Sequence, residues 1–283
     1  MAALTGLPMV DTALATEELE TDLLLEALLQ RYGYDFRSYD RPALKRKLQA
    51  AMQGHALATI SALQDRVLHD PAIGAALLRA LSVQPASLFD DPPAARQLRI
   101  VLAPCLRASA VPKVWLAECA GAEEAWSLAI LLAEEHLHMR TEIFATVANE
   151  ELLAEAGEAG FPAERMAAYQ ENYLKSGGIG QLADYFEIEA GRAVLLPHLR
   201  RRITWAQYNL VTDASFNEFQ MIICRRALPD FGPPLRHRVL KLFHESLSLF
   251  GVLGLDREIE DSDVYKASYQ PVFARQPWYK RIS

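Results

Sequence analysis

Through residues 16–81 apolar side chains recur at helical spacing. Leu23, Leu24, Ala27, Leu28 and Tyr32 form one such face. Thr16 is the expected N-cap, with Glu17, Glu18 and Glu20 in the first turn, and Gly33 the expected stop. Further helices are expected over residues 41–52, with Pro42 in the first turn, over 60–68, and from Asp70-Pro71 to Leu81. This stretch therefore reads as an all-helical unit.

The rhythm changes near Pro85. Residues 113–117, 142–147, 219–224 and 252–255 are short apolar runs. The run Phe219-Gln-Met-Ile-Ile-Cys224 is almost continuously apolar, as in a strand buried on both faces. Helical patterns cover residues 123–135, 150–155 and 235–250. Alternation of this kind predicts an α/β domain with a mostly parallel sheet. Residues 173–205 break the pattern with Gly177, Gly178, Gly180 and Gly191. There, 183–189 and 193–196 are expected to pair as an inserted antiparallel hairpin. The expected domains are 16–84, helical; 85–260, α/β, with the insertion at about 173–205; and a tail, 261–283. The polar stretch 256–283 is expected to be ordered only in part.

Composition narrows the function classes. A net charge of −7 argues against general nucleic-acid binding, which needs a basic surface. The three cysteines, Cys105, Cys119 and Cys224, are too scattered for a disulfide framework or a zinc site. No metal is expected, since His136 and His138, two apart, do not share a helix face. No apolar run reaches the ~18 residues of a membrane helix. The first residues, 1–17, lack the basic start of a secretion signal, so a cytoplasmic location is expected. Lys45, Arg46 and Lys47 form a basic run, either a solvated helix face or a docking surface for an acidic partner.

Several segments in register resemble the CheR-type chemotaxis receptor methyltransferases. They are Arg31-Tyr-Gly-Tyr-Asp-Phe-Arg37 with Leu44-Lys-Arg-Lys-Leu48, Ser82-Val83 leading to Phe89-Asp-Asp-Pro92, the run from Trp115 to Ile130, and Tyr208-Asn-Leu210 followed by Met221-Ile-Ile-Cys-Arg225. The resemblance covers about residues 20–258. It implies a helical N-terminal domain and a doubly wound, Rossmann-like methyltransferase domain with a small inserted antiparallel subdomain. It also implies S-adenosylmethionine as methyl donor, bound where the strands end, and glutamates of chemoreceptors as substrate.

The same resemblance exposes departures at the implied site. The family's loop, approximately A-G-C-S-T-G-E-E, reads Ala117-Glu-Cys-Ala-Gly-Ala-Glu-Glu124, so Glu118 and Ala122 stand where glycines are usual. A Glu118 carboxylate facing the donor's carboxylate at about 4 Å costs about 4 kcal/mol at an effective dielectric of about 20. The second strand ends in Val147 where the family has an aspartate, and each lost charged hydrogen bond costs about 1.5–3 kcal/mol. The family's T-x-F-F-R-D becomes Ala86-Ser-Leu-Phe-Asp90-Asp91, and its C-R-N-V-L-I-Y-F becomes Cys224-Arg-Arg226-Ala-Leu-Pro-Asp230-Phe231. Asp90 thus replaces an arginine of the reaction site, Asp230 its tyrosine, and Arg226 a donor-contacting asparagine. Glu123, Asn209 and Leu210 match.

The resemblance therefore implies a CheR-like protein of bacterial chemosensory signalling with an impaired donor site and no resident cofactor. Its partner would be a signalling protein or a chemoreceptor-like helical bundle, with Lys45, Arg46 and Lys47 the candidate docking residues. Two alternatives stand beside it. One is an active S-adenosylmethionine-dependent glutamate O-methyltransferase with a compensated site. The other is a sensor of a different small ligand. An ion pair from Arg226 to Asp90 or Asp230 is the expected compensation for the new charges.

Overall fold

The computed structural model describes residues 12–158, 160–260 and 263–283. The reading of a signal-free N-terminus rests largely on residues 1–11, outside the described residues, as are 261–262 of the tail. The chain divides into two compact units, Met1–Ser82 with Asp230–Pro233, and Val83–Pro229 with Pro234–Ser283.

The first unit holds α1 (Thr12–Tyr32), α2 (Arg41–Gly54), α3 (Ile60–His69) and α4 (Pro71–Leu81). The starts of α2, α3 and α4 are set by side-chain caps from Asp40, Thr59 and Asp70. Helix α1 begins before Thr16, which lies inside it and is not its N-cap. Gly33 follows α1 at φ 81°, a left-handed geometry that favours glycine, and its N–H donates to the Leu29 carbonyl. Leu24, Leu28, Leu44, Leu48, Leu63 and Leu77 fill the core, with Phe36 buried and Tyr32 and Tyr34 packed against it.

The second unit is a mixed sheet clothed by helices. Its elements are α5 (Pro92–Leu106), β1 (Lys113–Leu116), α6 (Ala122–Glu134), β2 (Glu142–Val147), α7 (Glu150–Gly157), β3 (Phe161–Pro162) and α8 (Met166–Lys175). They continue with β4 (Phe186–Glu189), β5 (Arg192–Leu195), α9 (Pro197–Arg200), β6 (Ile203–Gln207), β7 (Phe219–Cys224), α10 (Pro233–Ser246), β8 (Leu247–Leu255), β9 (Tyr269–Pro271) and β10 (Trp278–Arg281). The seven-stranded sheet runs β6-β2-β1-β7-β8-β10-β9. It is parallel from β6 through β8, while β10 pairs antiparallel with both β8 and β9. Strand order reverses between β1 and β7, the place where open α/β sheets form a ligand crevice. The fold class is thus the expected one.

Three expectations change. The helix expected over 235–250 ends at Ser246, and Leu247 opens β8 directly. A shift of pairing register near Phe219 and Met221, with Phe250 at φ 66°, marks where that strand bends. The tail is no partly ordered appendage, because Trp278 and Tyr279 of β10 are buried in the main sheet. Burying Trp278 alone stabilises the fold by roughly 2–3 kcal/mol. The small antiparallel sheet is three-stranded, β3-β5-β4, and draws β3 from outside the expected insertion. Among the described residues no helix is long and apolar enough to cross a membrane. Nor is any group of three or more His, Cys, Asp or Glu arranged to hold a metal.

Candidate active site

The loop after β1 is pinned across the strand ends. The Ala117 N–H donates to the Ile223 carbonyl of β7 at 2.9 Å, and the Cys119 N–H to the Thr146 carbonyl of β2 at 2.8 Å. Between these anchors Glu118 sits at φ 52°, in the left-handed region. A non-glycine residue there carries strain of about 1–2 kcal/mol. Glu118 is only partly exposed, and burial pushes its carboxyl up to about 7. Gly121, at φ 103°, takes the turn into α6 in a conformation side chains rarely adopt. Glu124 then reaches back to accept the Ala120 N–H at 2.6 Å, closing the N-terminus of α6.

A cleft of about 370 Å³ opens beside this loop. Ala86, Gly121, Glu123 and Val147 line it, with Glu155 and Arg192 from α7 and β5. Val147 is buried and its side chain accepts no hydrogen bond. Glu123 is engaged at one oxygen, where its Oε2 accepts the Leu88 N–H at 3.1 Å. Burial raises its carboxyl, opposed by hydrogen bonds from Tyr169 and Leu88. Asn209 and Leu210 do not line this cleft. Asn209 Oδ1 accepts the Val211 N–H at 2.8 Å in its own turn, while Leu210 is buried. They follow β6, where the Tyr208 N–H donates to the Val147 carbonyl at 3.0 Å.

The charge-reversed positions meet. Arg226 pairs with Asp90 at 2.7 Å and approaches Glu124 at 4.0 Å. Beside this pair Arg225 holds Asp91 at 3.0 Å, so Asp90-Asp91 and Arg225-Arg226 form two rungs. Asp91 also caps α5 by accepting the Ala94 N–H. Asp230 does not join Arg226. It belongs to the helical unit, where Lys47 contacts it at 2.5 Å. Lys47 also donates to the Leu81 carbonyl at the end of α4. Lys45 pairs with Glu17 and Glu18, so of the basic run both lysines are tied to acids within the unit. Asp91, Arg225, Glu124 and Arg192 lie outside the expected site set. The first two were legible as a pair of adjacent acids matched to a pair of adjacent arginines.

Comparison with known proteins decides the family. Residues 88–262 match the CheR methyltransferase SAM-binding domain, and residues 19–82 the CheR methyltransferase all-alpha domain. The chain belongs to the CheR methyltransferase family. A Pseudomonas putida protein named "Putative methyltransferase Cher3" is 38% identical over 265 residues, covering 93% of this chain and 97% of its own. A "Chemotaxis protein methyltransferase" of Listeria innocua is 29% identical over 141 residues, covering 50% of this chain and 51% of its own. Among solved structures, the glycopeptide N-methyltransferase MtfA is 17% identical at a TM-score of 0.37, over 66% of this chain and 62% of its own. The domain that residues 88–262 match is a SAM-binding one. Around this cleft Val147 presents a buried apolar side chain, Glu123 accepts the Leu88 N–H, and Glu118 brings an ionisable carboxyl into the loop.

Proposed function

We propose that this CheR-family protein serves bacterial chemosensory signalling as a catalytically impaired methyltransferase, acting as a protein-binding or regulatory module. One observation carries the reading: the ion pair between Asp90 and Arg226, the two positions where the CheR resemblance places a reaction-site arginine and a donor-contacting asparagine. An internal pair at those positions satisfies each charge without a ligand. It also sets a carboxylate where a substrate glutamate would approach, and like charges repel. The partner is a chemoreceptor-like helical bundle or another signalling protein. The test is transfer of labelled methyl groups from S-adenosylmethionine to a receptor helical bundle, with an active family member as control. Binding of the bundle without transfer supports the proposal, and transfer at the control's rate overturns it.

A second reading, an active glutamate O-methyltransferase, draws on the cleft itself. Glu123 and Glu155 both line its volume of about 370 Å³, and Glu155 offers a carboxylate from α7 in place of the one missing at Val147. Donor binding separates the two readings.

A further inference from the structure

A cluster of positive charge lies at the far end of α6 from the donor loop. The helix spans 13 residues, about 20 Å, from Ala122 beside that loop to Glu134. Beyond it the chain turns through His136 and His138 and enters β2 at Glu142. Helix α9 packs there against α6, held by buried Leu199, and leads into β6. The Ile143 N–H of β2 donates to the Arg202 carbonyl at 2.9 Å, and Arg202 donates to the Met139 carbonyl, so the two turns are tied together. The His138 and His198 rings meet edge to face with centres 5.8 Å apart. His136, His198, Arg200 and Arg201 are exposed.

The surroundings do not neutralise these groups. Burial pushes the His138 imidazole below its ordinary value, and repulsion from His198, His136 and Arg202 pushes it the same way. Arg140, in the same turn, donates to the Leu106 carbonyl and adds a further positive charge. The neighbouring acids at the end of α6 are spent on α5, Glu134 on Arg99 and Glu135 on Arg107. Among the described residues no acid pairs with the cluster, Glu142 at the start of β2 included. Such self-repulsion is relieved by an acidic partner. Size decides the kind of partner. A long polyanion, such as nucleic acid, spreads past the patch onto a chain of net charge −7, whereas a short acidic segment stays within it. Met139, 62% exposed among the charges, adds the apolar contact usual at protein–protein interfaces, where Met and Arg are enriched.

We propose that the surface formed by the turn after α6 and by α9 docks an acidic segment of a partner protein, its carboxylates set on Arg200, Arg201 and the histidines. The surface and the donor cleft lie at opposite ends of α6, so occupancy of one does not block the other. The proposal stands whether the cleft is active or not.

The test uses the full chain and a fluorescein-labelled octaglutamate peptide as probe, with binding followed by anisotropy. Saturable binding is expected at low salt, weakening as salt screens it. Arg200→Ala combined with Arg201→Ala should weaken the peptide by about tenfold or more, and lysine at both positions should restore most of the loss. Both side chains are exposed, so the fold should hold, and circular dichroism checks it. Lowering the pH from about 8 to about 6 protonates the histidines while the peptide stays ionised, so binding should tighten at least about threefold. His138→Gln with His198→Gln should flatten that dependence. Arg46→Ala, in the helical unit, should leave the peptide's affinity unchanged, and S-adenosylhomocysteine should not displace it. Single-stranded DNA of matching charge should bind more weakly. No saturable binding at low salt, unchanged binding in the folded double-alanine variant, binding indifferent to pH, loss of binding in Arg46→Ala, displacement by S-adenosylhomocysteine, or DNA bound as tightly as the peptide would each overturn the proposal.

Discussion

Arg226 donates from one nitrogen, Nη2, to both carboxylate oxygens of Asp90, at 2.7 Å each. Each of these residues reverses or adds charge relative to the CheR pattern. Together they cancel. The pair is 32% and 33% exposed, so water screens it, and its worth is about 0.5–1 kcal/mol. A double-mutant cycle with Asp90→Asn and Arg226→Gln, read by urea unfolding, should return a coupling of that size. Zero coupling would mean that the contact is incidental.

Glu118 gives the protein a pH signature. Its carboxyl is raised from 4.5 to about 7 in the folded state. A raised acid contributes stability that is full below its unfolded pKa and is lost as pH rises through the folded one. Stability should therefore fall between about pH 4.5 and about pH 7, by roughly 1–3 kcal/mol. Glu118→Gln should remove that slope. Comparing urea midpoints of parent and variant at roughly pH 5 and pH 8 checks it.

The same residue stores backbone strain at φ 52°. Glu118→Gly removes both the left-handed strain and the buried carboxyl, against a smaller entropic cost of glycine. Thermal unfolding near neutral pH should show stabilisation of about 1 kcal/mol or more. A destabilised variant would mean that Glu118 has a favourable partner.

In the helical unit, Lys47 ties Asp230 and the end of α4 together. Lys47→Met leaves Asp230 and the Leu81 carbonyl without it and should cost about 1–3 kcal/mol. Arg46→Ala should cost under about 0.5 kcal/mol. If receptor docking uses the basic run, Arg46→Ala should weaken binding while leaving stability intact, which a pull-down on the same samples measures.

The fold was legible because helical periodicity in Leu24, Leu28, Leu44 and Leu48 and the apolar run at Phe219–Cys224 each bury a defined face. Helix α5 is not among the expected elements, and it holds both Pro92 and Pro104. In place, Pro92 opens the first turn, where no N–H is needed, and Pro104 lies near the end. The strand β10 was hidden because its burial comes from pairing with β8, distant in sequence. At the site, the substitutions were visible residue by residue. Which acid Arg226 meets was not, since sequence cannot tell that Asp230 leaves with the helical unit while Asp90 stays beside α6.

The central claim is that the donor site no longer binds S-adenosylmethionine tightly. Calorimetric titration of the purified protein with S-adenosylhomocysteine tests it most directly. Each lost or reversed contact weakens binding by about tenfold or more, so no binding heat is expected until roughly millimolar ligand. Saturable binding at micromolar ligand would contradict the account and return the chain to the active methyltransferases.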